Sequence, residues 1–175
     1  SPLVFARVMH WFIIFCTFLM VVVSVNLDLI ARLFFRSPGY EVGLSMVPML
    51  LLGYLFLGIY YNLSIWFKIT DRTSYSFYIT GIGAIITVII ILTLVPVWGF
   101  MGGALSTLGS YFVMSVVCYM IGQKYYKIPY DLAKGLWLLV ISFAFSYIGF
   151  WIDAGNSWLN FVIHNSFVVL YGIIL

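Results

Sequence analysis

Charge is what this sequence has least of: eight Lys and Arg with five Asp and Glu amount to 7% of its residues, where an ordinary soluble domain carries about 25%. So few charges cannot form the polar shell that a soluble protein of this size needs. With 65% hydrophobic residues and a mean hydropathy of +1.16, most of the chain must have lipid as its solvent. Cysteine is almost missing as well. Cys16 and Cys118 each lie within an apolar run, so neither a disulfide framework nor a CxxC metal or redox motif is available. The net charge is only +3, and the basic residues form short clusters rather than a stripe with interleaved aromatics, which argues against a nucleic-acid surface. There is no HExxH, nucleophile elbow, P-loop or dinucleotide fingerprint, so the sequence assigns no catalytic residue, no metal site and no cofactor.

What the sequence has in abundance is long apolar runs. A bilayer core of about 30 Å asks for roughly 20 apolar residues per helix. Dividing the chain at charge, proline and glycine clusters yields segments at about 11–33, 42–67, 75–95, 102–121, 136–152 and 158–175. The expectation is an all-α polytopic membrane protein, a bundle of about six transmembrane helices in one domain over 1–175. A β-barrel would show alternating strands of about ten residues, and these runs are continuous and twice as long. The interruptions FFRSPGYE, KITDRTS, PVWGFMG, GQKYYKIPYDLAKG and DAGNS are compact, so neighbouring spans should run antiparallel. With a cytoplasmic N-terminus, Arg7, Lys68, Arg72, Lys124, Lys127 and Lys134 collect on the inner side and only Arg32 and Arg36 on the outer, as the positive-inside bias requires. Trp11, Trp66, Trp98, Trp137, Trp151 and Trp158 fall near the proposed helix ends, where amphipathic rings prefer to sit.

The chain opens at Ser1 without the features of a signal peptide, and it is still apolar from Phe161 to Leu175 where it stops. Both ends are expected to be cut points within a longer protein.

Polar residues inside apolar runs are the functional candidates, because an ionisable group at mid-bilayer costs roughly 2.5–3.5 kcal/mol. Asp28 and Arg32 stand four apart and share a helical face, which reads first as a structural ion pair and second as a substrate or coupling-ion contact. Gly102, Ser106 and Ser110 recur at four-residue spacing, a smooth face for close helix packing. Pro48 lies in the first turns of the second helix, where a pre-bent start is the modest reading and a gating hinge the ambitious one. Pro96 should close the third helix. Lys68 and Arg72 suit lipid phosphate or simply fix topology. His10 and His164 have too few neighbouring ligands for a metal; His164, next to Asn165 in an apolar run, is read as a hydrogen-bonded packing histidine ahead of a proton-relay or acyl-transfer group.

The stretch from Val47 through Asp131 contains three distinctive elements: a K-x-T-x-x-T turn at Lys68, Thr70 and Thr73, a P-x-x-G-x-x-G-A pattern at Pro96, Gly99, Gly103 and Ala104 with one residue inserted, and the GQKYYKIPY loop from Gly122 to Tyr130. These resemble the C-terminal half of polysaccharide biosynthesis proteins of the Wzx type, O-antigen flippases within the multidrug, oligosaccharidyl-lipid and polysaccharide exporter superfamily. The resemblance covers residues 44–134, with the flanks similar by hydropathy alone. It departs at Ile91, Leu92 and Thr93, where such proteins often carry an asparagine. It implies a two-lobed protein of about twelve to fourteen helices, of which this chain would be most of the second lobe, with the N-terminal lobe as its covalent partner. Its implied cargo is an undecaprenyl-diphosphate-linked oligosaccharide, moved across the bacterial inner membrane for lipopolysaccharide or other surface polysaccharide by alternating access. Cationic groups in a water-filled cavity would meet the diphosphate, and the candidates are Arg32 first, then Arg7, Arg36 and Lys68, with Asp28 beside Arg32.

Three other readings stand beside this one. A drug or metabolite exporter of the same superfamily would leave lipid-linked sugars unaffected. A membrane-embedded acyltransferase would depend on His164, and a non-transporting partner subunit would use the Gly102, Ser106 and Ser110 face for assembly.

Overall fold

The computed structural model describes residues 1–34, 41–152 and 157–175, and the side chains of these except at 32–34, 41, 42, 150 and 157. Every regular element among the described residues is an α-helix. In chain order these are α1 (Pro2–Val25), α2 (Leu27–Phe34), α3 (Glu41–Leu44), α4 (Val47–Leu63), α5 (Ile65–Ile69), α6 (Ser74–Trp98), α7 (Phe100–Tyr125), α8 (Leu132–Trp151) and α9 (Ser157–Ile174). Five described stretches are long and apolar enough to cross a membrane: Pro2–Val25, Val47–Ile69, Ser74–Trp98, Phe100–Tyr125 and Leu132–Gly149. The apolar part of α9, Trp158–Ile174, is shorter. At 1.5 Å per residue a helix of 18 residues reaches about 27 Å, a little under the bilayer core. The protein is thus an all-helical, multi-pass membrane bundle.

Helix limits depart from the apolar limits for identifiable reasons. The first helix begins at Pro2 instead of residue 11 and stops at Val25 instead of residue 33. Hydropathy marks where lipid begins, whereas the helical ladder continues through Arg7 and His10 into the polar layer. The break falls on Asn26, whose side-chain amide donates to the Val22 carbonyl at 2.9 Å. That carbonyl is the one the Asn26 backbone N–H would take in an unbroken helix, so side chain and ladder compete for it. The second segment is interrupted at Ser45–Met46 and again at Ser64, where the Ser64 hydroxyl donates to the Tyr61 carbonyl at 2.7 Å. Pro48 occupies the second position of α4 and is buried, a place where the missing N–H costs nothing.

Pro96 does not close the third helix, as expected, but lies inside α6. The stop is Gly99, at φ +55°, whose N–H takes the Val95 carbonyl at 2.8 Å. A positive φ suits glycine, and this single residue is all that separates α6 from α7. Proline so near a C-terminus frees one carbonyl without having to break the helix.

The chain divides into two compact units, Ser1–Trp11 with Met49–Asp131, and Phe12–Pro48 with Leu132–Leu175. In the first unit α7 is the packed element. It buries Gly102, Ala104, Ser106, Ser110, Met114, Ser115, Cys118 and Gly122, whereas the span on α6 is only 11% buried and turns Phe77, Ile85, Val88, Ile89 and Leu92 outward. In water that face would be a defect, but in lipid it needs no cover. The second unit centres on Val21, Val25 and Tyr171, with Phe18, Ile141, Phe145, Phe167 and Val168 packed around them. A smaller cluster joins Leu27, Ala31 and Leu44 to Val23 and Val47.

Candidate functional site

Between apolar helices in lipid the hydrophobic effect offers no driving force, so association rests on close packing and interhelical hydrogen bonds. The first unit shows both along α7. A Cβ added at Gly102 would lie 2.7 Å from the Leu94 carbonyl carbon, and one at Gly53 of α4 would lie 3.2 Å from the Leu108 backbone. Ser110 and Thr87 of α6 share a hydroxyl–hydroxyl bond of 2.6 Å, and the Ser115 hydroxyl donates to the Phe56 carbonyl of α4 at 2.8 Å. Ser106 and Ser110 are buried at 3% and 2% exposure, and their hydroxyls also return to α7 carbonyls at Gly103 and Ser106. Thr87 and Ser115 were not foreseen from the sequence. Their signal is a hydroxyl scattered among apolar residues, which disappears in any average over such a run.

At one end of the same unit three aromatic rings meet. Trp66, 2% exposed, stacks on Tyr125 at 5.6 Å between ring centroids and lies 5.3 Å from Tyr75. The Tyr75 and Tyr125 hydroxyls are 2.8 Å apart. Gly122 makes room for this arrangement, since a Cβ there would meet the Trp66 indole at 2.7 Å. The Arg72 guanidinium sits 4.2 Å above the Tyr125 ring and the Lys124 ammonium 6.0 Å from it. The turn that carries Arg72 is fixed by its N–H to the Phe67 carbonyl at 2.8 Å, by the Thr70 hydroxyl to the Trp66 carbonyl at 2.9 Å, and by a left-handed Asp71 at φ +53°. Beyond α7 the chain folds back, with the Gln123 amide donating to the Ile128 carbonyl at 2.8 Å. Under that loop a small cavity is lined by Trp66, Cys118, Gln123, Ile128 and Tyr130 among others. Trp66 Nε1 and the Tyr130 hydroxyl are buried without a hydrogen-bond partner, and burial pushes the Tyr130 phenol up to about 12.

The second unit holds its own polar groups. Thr17, Ser24, Ser142 and Ser146 are fully buried, and the hydroxyls of Ser24, Ser146 and Tyr171 have no hydrogen-bond partner. His164 is buried at 6% exposure, with Nε2 3.0 Å from the Ile152 carbonyl. A carbonyl only accepts, so Nε2 carries the proton, and the ring satisfies a backbone oxygen just past the end of α8, where intrahelical donors have run out.

Of the charged candidates, Asp28 is exposed in the first turn of α2, Arg7 is exposed on α1, and Lys68 is exposed in the last turn of α5. Arg32 lies on α2, but its side chain, and Arg36 altogether, fall outside the described residues. The Asp28–Arg32 pairing falls outside them too. Among the described residues no three His, Cys, Asp or Glu side chains converge as a metal site would require. In comparisons with known proteins, no family model, no curated protein and no solved structure matches this chain.

Proposed function

We propose that this chain is most of the second lobe of a polysaccharide flippase of the Wzx type. It would carry an undecaprenyl-diphosphate-linked oligosaccharide across the bacterial inner membrane by alternating access, with the N-terminus of the segment cytoplasmic. One observation carries the reading: the three stretches that resemble the family, at Lys68–Thr73, Pro96–Ala104 and Gly122–Tyr130, all belong to one compact unit, Met49–Asp131 with Ser1–Trp11. Within it Arg72 of the first stretch lies over the Tyr125 ring of the third, at 4.2 Å from its centroid.

The physical task agrees with the architecture. A lobe that rocks against its counterpart needs a stiff internal frame, and the α6–α7 hairpin, joined by Gly99 alone and pinned by the Thr87–Ser110 bond, is such a frame. The diphosphate needs cations in a water-filled path, for which Arg32 leads and Arg7, Arg36 and Lys68 follow, with Asp28 as the neighbouring anion. The oligosaccharide asks for hydrogen-bonding groups, while the polyprenyl tail can stay in lipid.

The test is the fate of the cargo. In cells lacking the protein, lipid-linked oligosaccharide should accumulate on the cytoplasmic face, out of reach of a glycan-modifying enzyme added from outside, and re-expression should restore access. Normal access in its absence refutes the flippase reading and moves the drug or metabolite exporter ahead.

A further inference from the structure

We propose that the end of the first unit where α5, α6 and α7 meet binds the headgroup phosphate of an anionic bilayer lipid. Arg72 and Lys124 are the phosphate contacts, and Tyr125 is the plate that positions them. The inference does not rest on transport and would hold for any function of the protein.

Arg72 lies in the turn before α6 and Lys124 in the last turn of α7, yet both charges gather on one ring, at 4.2 and 6.0 Å from its centroid. Arg72 is also within hydrogen-bonding reach of the Tyr75 and Tyr125 hydroxyls, and with five N–H donors its guanidinium keeps others for a tetrahedral oxyanion. Both residues are exposed. Lys68 and Lys127 follow on the flanking segments and are exposed too, with Asp71 as the one carboxylate in the turn. Sharing one ring keeps the two charges within about 10 Å of each other, where they repel, and a phosphate bound between them would be attracted to both. The ring beneath is itself immobilised: Trp66 stacks on one side and the Tyr75 hydroxyl bonds its phenol.

Position selects a lipid over free phosphate. The candidate spans Val47–Ile69, Ser74–Trp98 and Phe100–Tyr125 all reach their limits at this cluster, which therefore lies in the headgroup layer, where Trp and Tyr prefer to sit. Ile69, Phe77 and Tyr78 are exposed beside it and offer apolar surface to the acyl chains. Basic clusters at the ends of membrane helices attract anionic lipids in this manner.

The whole chain, in detergent, is offered equal amounts of phosphatidylglycerol and phosphatidylcholine, and the lipid it retains is read by native mass spectrometry. Phosphatidylglycerol should be preferred, and Arg72→Gln with Lys124→Gln should reduce that preference by about fivefold for each charge removed. Arg72→Lys with Lys124→Arg keeps both charges and should keep the preference, as should Tyr125→Phe, whereas Tyr125→Leu should lower it. Undiminished preference in the glutamine pair overturns the proposal, as does a native chain that retains both lipids equally. Displacement of phosphatidylglycerol by excess inorganic phosphate would identify a soluble-phosphate site and overturn the lipid assignment.

Discussion

Two neighbouring glycines on α7 should respond in opposite ways to the same substitution. A Cβ at Gly102 would stand 2.7 Å from the Leu94 carbonyl carbon and 2.8 Å from both the Leu94 oxygen and the Val95 nitrogen, while one at Gly103 would meet nothing within 4 Å. Carbon contacts are comfortable at about 3.5–4.0 Å, so Gly102→Ala demands a displacement of roughly 1 Å. The obstacle is backbone of α6, which cannot swing aside as a side-chain tip would. Overpacking of this kind costs about 1–3 kcal/mol. Alanine also gains about 0.8–1.0 kcal/mol over glycine in a helix interior, and this gain is common to both variants. It cancels in the comparison, leaving Gly102→Ala less stable than Gly103→Ala by about 1–3 kcal/mol. Denaturant titration of helical circular dichroism in mixed micelles measures that difference directly. Equal stability of the two variants, or a more stable Gly102→Ala, would refute the close approach of α6 and α7 and with it the rigid hairpin assumed for the lobe.

His164→Ala should destabilise the second unit by about 0.5–1.5 kcal/mol, because it removes the partner of the part-buried Ile152 carbonyl; thermal unfolding checks the cost, and an undiminished melting temperature would show the bond to be dispensable. In a double-mutant cycle, Thr87→Val and Ser110→Ala should couple by about 0.6 kcal/mol, the average for hydrogen bonds between membrane helices, and strict additivity would refute a direct bond. Tyr130 favours its neutral form in the folded protein, with burial raising its phenol from the ordinary value of 10 to about 12. The stability linked to this group is therefore present below pH 10 and lost as pH rises through about 12. Tyr130→Phe should remove that part of the alkaline loss, seen as a smaller fall in melting temperature between neutral and strongly alkaline buffer, and an unchanged fall would mean that the phenol titrates normally.

Much of the architecture was legible because the bilayer is a severe solvent. Apolar runs of about 20 residues permit little other than helices, and the cores of all five candidate spans lie where hydropathy places them. Errors gathered at the ends. Residues 2–10 continue α1 although they include Arg7 and His10, since a helix does not stop where lipid does. Pro96 looked like a terminator, yet it is Gly99 that turns the chain there, with a positive φ. The break at Asn26 depends on which partner takes a single carbonyl, a choice that no pattern of hydropathy records.

The candidate sites divide in the same way. The four-residue spacing of Gly102, Ser106 and Ser110 marks a packing face in the sequence, because periodicity along one helix is a local property. The partners of that face, Leu94 and Thr87, are contributed by another helix and could be identified only once the two were docked. Arg72 and Lys124 stand more than fifty positions apart, one in a turn and the other in a helix, and each alone reads as an ordinary topology signal. Sequence alone therefore determined the solvent, the element type and the residues able to lie close to a neighbour, all of which follow from composition and from repeats within single segments. Tertiary structure decided which of those residues meet, including the gathering of two cations on the Tyr125 ring, because that depends on distances between segments which the order of residues does not encode locally.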